Sequence, residues 1–294
     1  MFPPTMNYPI VHVKTADDLI HYGLFLEAPN SKTIFINTHG TASNFYEETF
    51  IEVFAKQFVA DGISLLSTNN RGAGVYDAYQ KSGAAVEYFE DCTLDLDAWI
   101  SFAIDHGYTN IILSGHSLGT EKVVYYMSHG ALADKVSRIV LLAPADSYGS
   151  HRMHEGHTNP RKDDVENLLY TAQKLIAAER RDEFLPRNSY GSHEGILPKS
   201  AASFVNFLGE ESKLQEGLPF VSGKLENYSK ILCPILVVIG DESEFTGLTT
   251  DDALQLMRTE NPRTITHKLE NSNHDFEGKE DQLSEIVLDF IKGN

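Results

Sequence analysis

Ile111-Ile-Leu-Ser-Gly-His-Ser-Leu-Gly119 runs three apolar residues into a glycine-flanked turn, and a helix-like pattern follows. That order reads as a buried strand, a sharp turn and a helix. A residue at such a turn is forced into a strained backbone conformation, and the strand and helix pass close on either side. Gly115 and Gly119 have no Cβ to collide there. Ser117 is lifted above the sheet edge. The helix that follows aims its first N–H groups and its dipole at the same point, where they favour a developing negative charge. G-x-S-x-G between a strand and a helix is the signature of an exposed serine nucleophile.

Working outward, the flanking segments repeat the same rhythm. Residues 33–38 form a short buried strand that ends in His39-Gly-Thr-Ala-Ser-Asn44. A helix is expected next, with Asn44 as its cap, Phe50, Ile51, Phe54 and Phe58 on one face, and Gly62 at its end. Residues 63–68 are another strand. A helix carrying Cys92, Leu96, Trp99, Ile100 and Ala103 on one side stops at Gly107. Strands are expected at 110–113, 136–142, 235–239 and 264–269, with helices near 250–258 and over the last apolar repeat, Leu283 to Ile291. Residues 9–14 and 19–27 read as an antiparallel hairpin at a sheet edge. Alternation of short buried strands with helices implies a mostly parallel sheet covered on both faces.

From 147 to 228 the rhythm breaks. One amphipathic helix carries Val165, Leu168, Leu169, Ala172, Leu175 and Ile176, and a shorter apolar piece spans 201–208. The rest is rich in Gly, His, Pro and Ser. The expected organisation is a core of 1–146 and 229–294 with 147–228 as a cap insertion.

In this order the pieces resemble the α/β-hydrolase superfamily, and within it the small cytosolic esterases of the feruloyl-esterase-like and uncharacterised small-hydrolase kinds. The resemblance rests on His39-Gly40-Thr41, Gly115–Gly119 and His274, and covers the chain outside the insertion. It implies a serine hydrolase acting on a carboxylic ester, with Ser117 as nucleophile, His274 as general base, and an oxyanion hole from the backbone N–H groups of Leu118 and Thr41. The chemistry needs these types. A hydroxyl is a weak nucleophile without a base in reach, and histidine takes and returns a proton near neutral pH. The third member departs from the pattern. The usual position, three residues after Gly240, holds Ser243. Asp241 is the expected acid, with Glu244, Glu242 and Asp146 as alternatives. His116 is read as elbow structure, and Arg71 as a structural loop residue. Thioester, amide and acyl-transfer chemistry share the same first step. A ligand-binding protein that has lost hydrolysis is the alternative from another class, motivated by Ser243.

The remaining features bound the function. The chain has 294 residues and a net charge of −18, which disfavours nucleic acid and anionic membranes as partners. No apolar run is long enough to span a bilayer and no secretory leader is visible. Cys92 and Cys233 read as small core residues of a reduced, cytoplasmic protein. His151, His154 and His157 are evenly spaced, but Gly156 and Pro160 argue against a helix that would align them, so no metal is expected. No cofactor motif appears. The expected partner is a small acyl substrate.

Overall fold

A computed structural model describes residues 9–152, 162–185, 197–242 and 244–293. One eight-stranded sheet runs through it in the order β1-β2-β4-β3-β5-β6-β7-β8. Strands β1 (Ile10–Lys14) and β2 (Ile20–Leu26) form the expected antiparallel hairpin, closed by the Thr15 N–H donating to Leu19 O at 2.9 Å. β2 pairs antiparallel with β4 (Ser64–Thr68). From there the sheet is parallel through β3 (Thr33–Thr38), β5 (Asn110–His116), β6 (Val136–Leu142), β7 (Ile235–Gly240) and β8 (Thr264–Leu269). β5 outruns its expected end at residue 113. Gly115 still pairs with Thr38 and His116 with Leu142, so both neighbours carry the ladder up to the turn.

Period-two alternation sends successive strand residues to opposite faces. On one face Ile34, Ile36, Leu66, Ile111 and Leu113 pack against α2 (Cys92–Asp105), α3 (Leu118–His129) and α8 (Thr250–Glu260). On the other, Phe35, Leu65, Ile112 and Val140 meet α1 (Phe50–Ala60) and α9 (Glu280–Lys292). α1 buries the four residues expected of it, and Phe54 and Phe58 stack at 4.5 Å between ring centres. Its cap differs from expectation. The helix begins six residues after Asn44, whose Oδ1 instead accepts the Tyr46 N–H in a turn.

Residues 147–228 carry α4 (Ser147–Arg152), α5 (Lys162–Ala177), α6 (Ala201–Leu208) and the short α7 (Glu226–Ser229). A third apolar cluster joins Tyr148, Val165, Leu169, Ala172, Phe204 and Leu208 to Phe89, Cys92, Leu118 and Tyr125. The end of the segment goes elsewhere: Leu218, Phe220, Leu225 and Tyr228 pack into the cluster on the sheet's α3 face. Among the described residues no helix is long and apolar enough to cross a membrane.

Candidate active site

Ser117 sits between β5 and α3 at φ 54°, ψ −125°. An L-residue holds that conformation only where its surroundings over-determine it. Here the Ser117 N–H donates to Leu142 O at 3.0 Å, and its carbonyl accepts from Thr120 N and Thr120 Oγ1 at 2.9 and 2.6 Å. The glycines are needed for clearance. A Cβ on Gly115 would lie 2.2 Å from Gly119 O, and one on Gly119 would lie 2.4 Å from Thr38 O. Strand β3 delivers the second piece to the same point. Gly40 passes so near the serine that a Cβ there would come 2.8 Å from Ser117 Cβ and 3.4 Å from its Oγ. Thr41, expected in the oxyanion hole, follows that contact directly. Leu118, its expected partner, is the first residue of α3, where helix N–H groups lack an intrahelical acceptor.

The loop that carries Gly40 is fixed from beneath by His39. Its Nδ1 donates to Gly40 O at 2.8 Å, and its Nε2 accepts from the Asn70 N–H at 3.2 Å. Both ring nitrogens are spent in the neutral tautomer. Burial, with Lys122 adding to it, lowers the His39 pKa to about 3. Asn70 in turn receives Lys122 Nζ at 2.9 Å, and Lys122 pairs with Glu87 at 2.8 Å, all buried.

His274 lies in the loop between β8 and α9. Its Nδ1 is 2.9 Å from Glu244 Oε2, and its Nε2 is buried with no hydrogen-bond partner among the described residues. The Phe245 ring meets the imidazole edge-on at 4.7 Å. The Glu244 side chain is 4% exposed, and its other oxygen accepts the Gly240 N–H at 2.8 Å. The carboxylate thus folds back over the strand end and grips backbone with one oxygen and imidazole with the other.

The place expected for Asp241 is therefore taken by Glu244. Asp241 is exposed, and its carboxylate accepts the Ser272 N–H at 3.1 Å, a bond that holds its pKa below the usual range. Glu242 is exposed. Asp146 is buried but spends its oxygens on Gly149 N at 2.6 Å and Val221 N at 2.9 Å, which anchors the start of the insertion to its end. Burial raises its pKa to about 6. Ser243 lies outside the described residues, as do His154 and His157. His151 donates through Nδ1 to Ser147 O at 2.7 Å. Arg71 is buried and pairs with the buried Asp95 at 2.9 Å and with the part-exposed Asp17 and Asp91 at 3.1 Å, contacts that tie down its loop.

Two side chains at the site had no role in the sequence reading beyond structure. His116 donates through Nε2 to the His274 carbonyl at 2.9 Å, and Glu48 stands 3.8 Å from His116 Nδ1. The two histidines are 158 positions apart, so no local signal links them.

A family model described as Hydrolase_4, serine aminopeptidase S33, matches residues 29–177, just over half of the chain. Comparison with curated proteins gives no match. Among solved structures the chain is similar to the α/β hydrolase GrgF from Penicillium sp. sh18, at 15% identity over 96% of this chain and 97% of that one, TM-score 0.66. It is similar to Est1E from Butyrivibrio proteoclasticus with ferulic acid bound, at 13% identity over 96% and 98%, TM-score 0.66. The esterase EaEST from Exiguobacterium antarcticum matches at 17% identity over 96% and 98%, TM-score 0.59. At such identities the likeness speaks for a shared fold.

Proposed function

Because the chain belongs to the Hydrolase_4 family of α/β hydrolases, described as serine aminopeptidases of the S33 kind, we propose that it cleaves a carboxylic ester through an acyl-enzyme on Ser117. The observation that carries this is the state of His274: Nδ1 bonded to Glu244, and Nε2 without a hydrogen-bond partner among the described residues. The Glu244 carboxylate can only accept, so the proton resides on Nδ1 and the lone pair on Nε2. That is the tautomer a general base needs. Ser117 Oγ attacks the acyl carbon while Nε2 takes its proton. The N–H groups of Leu118 and Thr41 hold the oxyanion, at about 3 kcal/mol per donor. The imidazolium, steadied by Glu244, returns the proton to the departing alcohol. Water then repeats the sequence on the acyl-enzyme.

The insertion supports an apolar acyl group. Leu118, next to the proposed nucleophile, shares its cluster with Val165, Leu169 and Leu208, so the cap's apolar core reaches the residue beside Ser117. On this reading the cap over 147–228 sets which acyl groups enter. No cofactor takes part in the scheme, and a small acyl compound is the substrate. The aminopeptidase description of the family favours one second reading, an amide substrate through the same acyl-enzyme. The receptor-like alternative loses its motive, since Glu244 stands at the imidazole where Ser243 had left a gap.

The test is a paired screen of p-nitrophenyl esters of rising acyl length and aminoacyl p-nitroanilides, with Ser117→Ala as control. Ester turnover abolished by Ser117→Ala is the expected result. Turnover of anilides alone favours the amide reading. Near-wild-type turnover by the folded Ser117→Ala protein defeats both.

A further inference from the structure

His116 belongs to the nucleophile turn, yet its side chain is committed to the opposite half of the site. It is 4% exposed, and its ring lies 5.1 Å from that of His274. A carbonyl oxygen only accepts, so the 2.9 Å bond from His116 Nε2 to His274 O fixes the proton on Nε2. Nδ1 then carries a lone pair, and it faces Glu48 Oε1 at 3.8 Å. Glu48 is itself buried. Its Oε1 accepts from Ser43 Oγ at 2.9 Å, and its Oε2 has no hydrogen-bond partner among the described residues. Phe50 and Phe276 close the space around the His116 ring at 5.6 and 6.2 Å.

We propose that His116 is a positioning residue: it ties the loop carrying the general base to the strand carrying the nucleophile, and a neutral Glu48 beside Nδ1 leaves it in the tautomer that makes the tie. The proposal rests on the roles given above to Ser117 and His274. The two segments come from distant parts of the chain, and acyl transfer is sensitive to displacements of about 1 Å between reacting groups, costing on the order of 10²-fold. A bond from the residue beside the nucleophile to the backbone of the base addresses that distance directly.

Glu48 can support the tie only in its neutral form. A protonated carboxyl, with Oε1 3.8 Å from Nδ1 and beyond hydrogen-bond reach, leaves the lone pair there undisturbed. An ionised one favours the proton on Nδ1, the tautomer that cannot donate to the His274 carbonyl. Burial favours the neutral form, and Glu47 and Asp275 add repulsion, so the Glu48 pKa rises to about 7. The other titratable groups facing His116 are His274, across the shared bond, and Asp275, whose Oδ1 is 3.8 Å from Nε2 and which is largely exposed. The tie therefore weakens as pH rises through about 7.

Two near-isosteres separate positioning from packing. Glutamine places an amide donor where Nε2 stands, and asparagine places one where Nδ1 stands. His116→Gln, His116→Asn and Glu48→Gln are compared with wild type for kcat and KM on one p-nitrophenyl ester from pH 5 to 9. Thermal midpoint and amide hydrogen exchange of residues 272–276 are measured on the same samples. The expected result is that Gln stays within about threefold of wild type in kcat. Asn loses at least about tenfold in kcat with KM unchanged, and its 272–276 amides exchange at least about tenfold faster. Glu48→Gln keeps its turnover on the alkaline side of pH 7, where wild type declines. Equal effects of Gln and Asn, or none from either, overturn the proposal. If Asn does not fold, the pH profile of Glu48→Gln decides, and a profile identical to wild type overturns it. If wild type turns over no ester, the fault lies with the reading of Ser117. The exchange comparison still tests the tie, and equal exchange in Gln and Asn overturns it.

Discussion

At the residue scale, the acid is where counting along the chain and folding it part company. Gly240, the strand before it and the acidic turn after it are all legible in the sequence. The turn's path is not. Glu244 reaches back over Gly240 because its Oε1 accepts that residue's N–H, which delivers Oε2 to the imidazole, while Asp241 is turned away onto Ser272. Glu244→Gln is accordingly expected to lower kcat on the order of 10³ to 10⁴-fold with KM little changed, and Asp241→Asn to stay within a few-fold. Side-by-side kinetics on one activated ester checks this, and the reverse pattern restores Asp241. Glu48 gives a second expectation, in stability. Its folded pKa, about 7, lies above its ordinary value of 4.5. Both states are protonated below 4.5, so the favourable contribution is fully present there. It is lost as pH rises toward 7, by up to about 3 kcal/mol. Glu48→Gln has no such loss. Its thermal midpoint relative to wild type should therefore rise between pH 4.5 and pH 8, and a constant difference would argue against a buried neutral Glu48.

At the scale of elements, patterning carried most of the information. The apolar faces of α1, α2 and α9 were readable because a 3.6-residue period must show itself wherever a helix lies on a sheet. Contacts that join segments without a period were not readable. The His116–His274 bond is one, and the return of Leu218, Phe220 and Tyr228 from the insertion into the main core is another. The clusters make different demands on the chain. Phe58, buried in α1 between Phe35 and Phe54, should cost about 3 to 5 kcal/mol when cut to Ala, with acyl-length preference unchanged. Leu169, in the cluster that contains Leu118, should when cut to Ala shift the ratio of kcat/KM between long and short acyl esters. Urea unfolding and an ester series on both variants test the distinction. An unchanged acyl preference in Leu169→Ala would remove the cap from substrate choice.

For the whole molecule the dominant feature is charge. A net charge of −18 sets up a field that opposes any anionic substrate approaching the site. Salt screens such a field over roughly 10 Å at 0.1 M. An ester bearing a carboxylate should therefore gain in kcat/KM as salt is raised from 10 to about 300 mM, while a neutral ester of the same length should not. Equal salt response of the two would mean that the site does not feel the net charge. The fold itself was open to reading at this scale, since strand–helix alternation leaves few topologies for a parallel sheet.

Everything proposed for the chemistry depends on Ser117 being the nucleophile, activated by a histidine held on Glu244. A fluorophosphonate mimics the acyl substrate and stays on the serine it reacts with. The most direct measurement is to treat the folded protein with one equivalent, digest it and sequence the modified peptide by mass spectrometry. Stoichiometric modification of Ser117 is expected, absent in Ser117→Ala and slowed on the order of 10²-fold or more in Glu244→Gln. Modification of a different residue, or none in protein shown to be folded, would contradict it.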